Sequence, residues 1–226
     1  MTVGVVLFPG SNCEADVVEA VATVGGQAEI VWHGDRRLPT GVDALVLPGG
    51  FAHGDYLRTG AIARFSPVMA AVVAFAAAGG PVLGICNGFQ ILCEAGLLPG
   101  ALQKNNGLKF VCDITTVRVE SINTPVTSNL REGTELRLPI NHFEGSFTCD
   151  DTTLAELQAD ERVVFRYVSN PNGSVDEIAG VCSAGRNVVG LMPHPERASH
   201  PLLGSTDGRT MFESLVAADR SVTSSG

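Results

Sequence analysis

The sequence predicts an α/β fold: an open, mostly parallel central sheet with helices on both faces and further antiparallel strands appended. Three observations carry this. Short, almost wholly apolar runs, VGVVLF (3–8), VDALVLPGG (42–50) and PVLGIC (81–86), each stop at a glycine-bearing corner, as strands covered on both faces do. Helical patterns lie between them, and strand–helix alternation means parallel pairing through right-handed crossovers. The apolar content, 45% hydrophobic with only 6% aromatic residues, is of an α/β kind more than an all-β kind.

VGVVLF opens the sheet and PGSN (9–12) breaks it. Ser11 or Asn12 is expected to cap a helix over roughly 13–24, with Val17, Val21 and Val24 on one face and Gly25-Gly26 ending it. AEIVWH (28–33) and VDALVLPGG follow as strands, then a polar loop with GDYLRTG (54–60). The Ala-rich stretch 61–80 reads as helix, with Pro67 a kink or a new first turn. PVLGIC is the fourth buried strand, and NGFQILCEAGLL (87–98) a helix closed near Gly96. Ligands in such sheets bind beyond the carboxyl ends of the strands. The corners at 8–10, 48–50 and 84–88 should therefore line one rim. The second half changes rhythm: VCDITTVRVE (111–120), LRLPINHF (136–143), VVFRYV (163–168), IAGVCS (178–183) and NVVGLMPH (187–194) are strands separated by turns, some pairing antiparallel. TMFESLVAADR (210–220) is a closing helix, and the tail SVTSSG is expected to fray.

With 226 residues and no compositional break, one domain over 1–226 is expected. Net charge is −9 and the 15 Lys and Arg are scattered, so no nucleic-acid or anionic-membrane footprint appears. No apolar run is long enough to span a bilayer, and MTVGVVLFPG lacks a signal peptide's basic start. The six cysteines form no CxxC and no disulfide-like cluster, which fits reduced thiols in a cytoplasm. No histidine pair has zinc-like spacing with cysteine, so no metal is expected. Neither a GxxxxGK[ST] nor a strand-borne GxGxxG occurs, so no recognised loop binds ATP here.

Gly84-Ile85-Cys86-Asn87-Gly88, between strand and helix, is arranged like a nucleophile elbow. Flanking glycines remove Cβ atoms where the chain doubles back, and the helix N-terminus behind supplies free N–H groups and a positive dipole end. On this context alone Cys86 reads equally as a small packed residue or as a presented nucleophile. A nucleophile needs a base and an orienting group. GLMPHPER (190–197) offers His194 between two prolines with Glu196 two residues on. An extended segment there would turn both toward the rim. Gly49-Gly50 ends a strand without opening a helix; its use would be a backbone N–H facing the elbow to complete an oxyanion hole. Of the other histidines, His33 is expected to be exposed, His53 to contact a ligand or partner or neither, His142 in NHFEG to be either structural or functional, and His200 to close a turn. Cys93 reads as core. Cys13 stands at a helix start without a local base and reads as structural, and Cys112, Cys149 and Cys182 as strand or loop residues.

GICNGFQ with PHPE resembles the class I glutamine amidotransferases, the Cys-His-Glu glutaminases with a flavodoxin-like sheet. GSNCEAD (10–16), LPGGFAHGDYLRTGAIA (47–63), RYVSNPNGSVDEIAG (166–180) and GLMPHPERA (190–198) narrow the resemblance to the glutaminase subunits of phosphoribosylformylglycinamidine synthase, over nearly the whole chain. INHFEGSF (140–147) departs from the His-Gly-Glu-Gly-like run usual there, with Phe143 replacing the small residue. The resemblance implies that Cys86 attacks glutamine, His194 moves the proton and Glu196 orients His194. It further implies that the N–H groups of Gly50 and Asn87 hold the oxyanion and that Gln90 helps seat the substrate. It implies no cofactor in this chain, ATP and Mg being used by a partner synthetase subunit that makes formylglycinamidine ribonucleotide in purine biosynthesis, with a small third subunit. Three rival readings are a class I glutaminase feeding another synthetase, a cysteine-elbow α/β-hydrolase, and a non-enzymatic partner subunit. In the hydrolases the acid precedes the histidine, whereas Glu196 follows His194.

Overall fold

Wholly apolar runs build the centre of a nine-stranded sheet. β1 (Thr2–Leu7), β3 (Ala44–Leu47), β4 (Val82–Ile85) and β11 (Val188–Leu191) are buried along almost their full length. With β2 (Gln27–Trp32) at the edge they pair in parallel in the order β2-β1-β3-β4-β11. From β11 the sheet continues antiparallel through β10 (Ile178–Cys182), β9 (Val163–Tyr167), β6 (Val111–Val119) and β7 (Glu135–His142). A separate two-stranded ribbon joins β5 (Ala101–Gln103) to β8 (Ser146–Thr148). The computed structural model describes residues 1–218; positions 219–220 of the expected closing helix and the tail 221–226 lie outside the described residues. No helix among the described residues is long and apolar enough to cross a membrane.

The helices are α1 (Glu14–Thr23), α2 (Val68–Ala77), α3 (Asn87–Glu94), α4 (Asp151–Ala159) and α5 (Arg209–Ala217). α1 packs with α5 and against β1 and β2, while α3 packs over β3, β4 and β11. Several boundaries depart from expectation. Cys13, not Ser11 or Asn12, is the N-cap of α1. Ser11 Oγ instead accepts the Phe8 N–H at 3.2 Å, closing the turn after β1. The acidic first turn of α1, Glu14 and Asp16, complements the helix dipole in place of a side-chain cap. The stretch 61–80 is not one helix: a 3-10 turn over Ala63–Phe65 precedes α2, whose N-cap is Pro67. α3 is closed as expected by Gly96, which takes a left-handed φ of 72°, so the helix stops at Glu94 and does not run through 98. α4 was not expected; Asp150 caps it by accepting the Thr153 N–H at 2.7 Å. His33 is half-buried rather than exposed, its ring 4.4 Å from Trp32 and 5.3 Å from His53.

The three glycine corners do meet at one rim. Gly50, at φ 142°, bridges to Ser11, and a Cβ there would lie 2.7 Å from the Ser11 Cα. Gly88 rests directly on β3, where a Cβ would lie 1.9 Å from the Leu47 carbonyl oxygen. The first turn of α3 is therefore seated on the carboxyl end of β3.

Candidate active site

β4 ends in a corner that only a constrained residue occupies. Cys86 has φ 50° and ψ −105°, a conformation that costs a non-glycine residue about 1–3 kcal/mol and recurs at functional sites. Its N–H donates to the Leu191 carbonyl at 2.8 Å, and its own carbonyl accepts from the Gln90 N–H at 3.1 Å. β11 on one side and α3 on the other thus clamp the corner. The side chain is almost fully buried, and its Sγ lies 3.8 Å from the Asn141 carbonyl at the end of β7.

β11 runs beside β4 with Ile85 opposite Leu191, so the chain leaving β11 emerges next to Cys86. The His194 N–H donates to the Pro139 carbonyl at 2.8 Å, which ties this segment to β7. The expected extended run is instead a 3-10 turn over Pro195–Ala198. That turn folds Glu196 back so that its Oε1 accepts from His194 Nδ1 at 2.5 Å, both side chains being buried. Burial alone would lower the imidazole pKa. The Glu196 carboxylate foremost, with the thiols of Cys86 and Cys13, holds it well above the ordinary histidine range. The bond from Nδ1 leaves Nε2, which has no hydrogen-bond partner among the described residues, free to exchange a proton with a thiol.

Cys13 does have a basic neighbour, contrary to expectation. A Cβ at Gly49 would lie 2.7 Å from His194 Cε1 and 3.0 Å from Cys13 Sγ, so the imidazole and this second thiol share one glycine floor. Arg197 Nη2 donates to Cys13 Sγ at 3.0 Å, and Arg197 Nε to Asp16 at 3.2 Å. Ligating atoms of Cys13, His194 and Glu196 fall within 4.8 Å of one another, the spacing of a metal site. The guanidinium bonded to the thiol already supplies positive charge there, which opposes a cation.

A pocket of about 140 Å³ opens on Cys86, lined by Gly50, Asp55, Gln90, Asn141, His142 and Glu144 among others. The Asn87 side chain ties its walls together: Oδ1 accepts the Ala52 N–H at 3.1 Å, and Nδ2 donates to Gln90 at 2.9 Å and Asp55 at 3.3 Å. The Asn87 backbone N–H belongs to the first turn of α3, where helical geometry supplies no acceptor. Gln90 Nε2 donates to the Glu144 carbonyl at 2.5 Å, so Gln90 braces the wall as well as lining it. His53 and His33 share the Ser66 hydroxyl at 3.3 Å each, apart from the pocket lining. His200 Nδ1 accepts from the Leu202 N–H, closing its turn.

Asp55, Asn141 and Glu144 were not singled out by the sequence reading, and His142 was left open between a structural and a functional role. Asn141, His142 and Glu144 share one signal, the polar cluster Asn-His-Phe-Glu-Gly at a strand end, while Asp55 lies in the loop GDYLRTG. Burial raises the Asp55 carboxyl to about 6, with the nearby Glu144 charge adding to it. Burial lowers His142 to about 4, helped by the charge of His194. These two act oppositely on stability. Between pH 6.5 and 4 the unfolded chain binds more protons at His142 than the native chain does, so that term is present above 6.5 and lost on acidification, by up to about 3 kcal/mol. Asp55 binds its proton more tightly when folded, so its contribution is present at low pH and lost as pH rises through about 6. We therefore expect Asp55→Asn to steepen the acid loss of stability and His142→Phe to flatten it, as read by urea unfolding across that range.

Residues 1–214 match the profile of the CobB/CobQ-like glutamine amidotransferase domain. The chain is 59% identical over 217 residues to a phosphoribosylformylglycinamidine synthase subunit PurQ from Rubrobacter xylanophilus, covering 96% of this chain and 98% of that one. It is 55% identical to the protein of the same name from Koribacter versatilis, covering 96% and 98%. A chain in the structure of PurLQS from Thermotoga maritima superposes with a TM-score of 0.87 at 41% identity, covering 95% and 96%. A glutamine amidotransferase from Thermotoga maritima, 16% identical with a TM-score of 0.63, shares the fold.

Proposed function

Because the chain belongs to the CobB/CobQ-like glutamine amidotransferases, and among them to the glutaminase subunits of phosphoribosylformylglycinamidine synthase, we propose that Cys86, His194 and Glu196 are its catalytic residues. The observation that carries this is the strained thiol at the head of α3, beside an imidazole whose Nδ1 is held by a buried carboxylate. His194 takes the Cys86 proton, and the thiolate attacks the carboxamide carbon of glutamine. The N–H groups of Gly50 and Asn87 receive the charge that develops on oxygen. The imidazolium protonates the departing nitrogen, which leaves as ammonia, and a glutamyl thioester remains. His194 then takes a proton from water, whose oxygen attacks the thioester, and glutamate leaves as the thiolate is regenerated. Glu196 fixes the tautomer and balances the imidazolium charge. Gln90 contributes to the wall against which the substrate lies.

The ammonia passes to an ATP- and Mg-dependent synthetase subunit that converts formylglycinamide ribonucleotide to formylglycinamidine ribonucleotide. The likeness to a chain of PurLQS supports assembly with that subunit and a small third one. Six free cysteines among the described residues agree with action in the cytoplasm. The test is release of glutamate and ammonia from glutamine by the chain, with and without its synthetase partner and nucleotides. Hydrolysis is expected to be weak alone and strong in the complex; rapid hydrolysis by the isolated chain contradicts the coupling. Glu196→Gln should lower kcat by about 10²–10⁴-fold with little change in KM, because it loosens the imidazole and not the pocket.

A further inference from the structure

We propose that His142 is a specificity-determining residue, accepting at Nε2 a hydrogen bond from the carboxamide N–H of glutamine in the Cys86 pocket. The inference rests on the glutaminase reading and adds a residue to it.

Asn105 is buried behind the pocket wall. Asn105 Nδ2 donates to the carbonyls of Lys109 at 2.9 Å and His142 at 3.0 Å, which fixes the orientation of its amide. Oδ1 is then the acceptor; it takes the Gly145 N–H at 3.1 Å and faces His142 Nδ1 at 3.1 Å. Only a protonated Nδ1 satisfies that contact, so neutral His142 carries a bare lone pair on Nε2. The ring cannot flip casually, since even a Cβ at Gly145 would lie 2.3 Å from Nδ1. His142 is 3% exposed, lines the Cys86 pocket, and its Nε2 is buried without a partner among the described residues. A buried acceptor left unpaired is costly and uncommon. A molecule bringing an N–H into the pocket would satisfy it.

Chemistry selects which N–H. The charge of His194 is felt at His142 and, with burial, keeps its proton affinity low. Cys86 Sγ lies 3.8 Å from the carbonyl of Asn141, the residue before His142, so His142 lies at the reacting end, and burial foremost keeps it a neutral acceptor at working pH. The carboxylates of Asp55 and Glu144 line the same pocket, and among the described residues no lysine or arginine does; they suit the substrate's ammonium group. The carboxamide N–H is left for Nε2. Glutamate, the product, offers only oxygen lone pairs at that position and would be repelled. His142 thus favours amide over acid, and so substrate binding and product release.

The complex carrying His142→Phe should show a KM for glutamine raised roughly ten- to hundred-fold. Its inhibition by glutamate should be unchanged or stronger, so the selectivity for amide over acid collapses. His142→Gln, which restores an acceptor, should recover most of that selectivity. Unchanged selectivity in His142→Phe overturns the inference. A second measurement needs no substitution at 142. In the full chain carrying Cys86→Ser with ¹⁵N-labelled imidazoles, the Nε2 resonance of His142 should move on saturation with glutamine and not with glutamate. A resonance unmoved by glutamine overturns the inference even if the Phe variant fails to fold. Hydrolysis persisting in Cys86→Ala would instead sink the glutaminase assignment, whatever His142 does.

Discussion

Cys86→Ala is expected to reduce glutamine-dependent synthesis by the complex at least about 10⁴-fold, while synthesis from added ammonia continues. Removing the sulfur eliminates the thioester route and leaves the synthetase subunit intact, so ammonia from solution bypasses the lesion. Two thiols flank His194, which makes the comparison with Cys13 decisive. Cys13 caps α1, with its sulfur accepting from Arg197 and donating to the Asn12 side-chain Oδ1. Cys86 alone stands on the strained corner and lines the pocket. Cys13→Ala should therefore keep hydrolysis within about tenfold of the parent. Glutamine still supporting turnover in Cys86→Ala, or its loss in Cys13→Ala alone, would assign the attack to the wrong sulfur.

Gly88→Ala should destabilise the chain by about 4 kcal/mol or more. The added methyl would lie 1.9 Å from the Leu47 carbonyl oxygen, 2.6 Å from its carbon and 2.9 Å from the Leu47 Cβ. None of these is the free end of a flexible side chain. Relief requires α3 to lift from β3, and lifting α3 moves Cys86 and Asn87 with it. Gly107→Ala is the control: a Cβ there meets nothing within 4 Å, so a change within about 0.5 kcal/mol is expected. Urea midpoints measure both. An unchanged midpoint in Gly88→Ala would mean that the helix is not seated on the strand as described.

The central strands were legible because burial on both faces writes itself as unbroken apolar runs. VGVVLF, ALVL and VLGI needed nothing else. The ribbon strands β5 and β8, three residues each, are too short to show a period. α4 was missed because its sequence, DTTLAELQA, buries only Leu157 and carries little apolar pattern. At the site, Cys86 could be picked out from its glycines, and His194 with Glu196 from their prolines and spacing. The turn that joins the last two could not be read, because proline fixes one dihedral and not the path that follows. Cys13 and His142 were invisible as neighbours of His194, since their proximity arises only where β7 and the α1 corner converge on the end of β11.

Cys86 and His194 hang from adjoining strands, with Gly84 paired to Gly190 and Ile85 to Leu191 in mid-sheet. Amide protons in such a ladder exchange only through the most cooperative openings, whereas outlying helices fray at little cost. Inactivation on warming should consequently coincide with global unfolding instead of preceding it, and partial melting of peripheral segments should leave the reactive pair assembled.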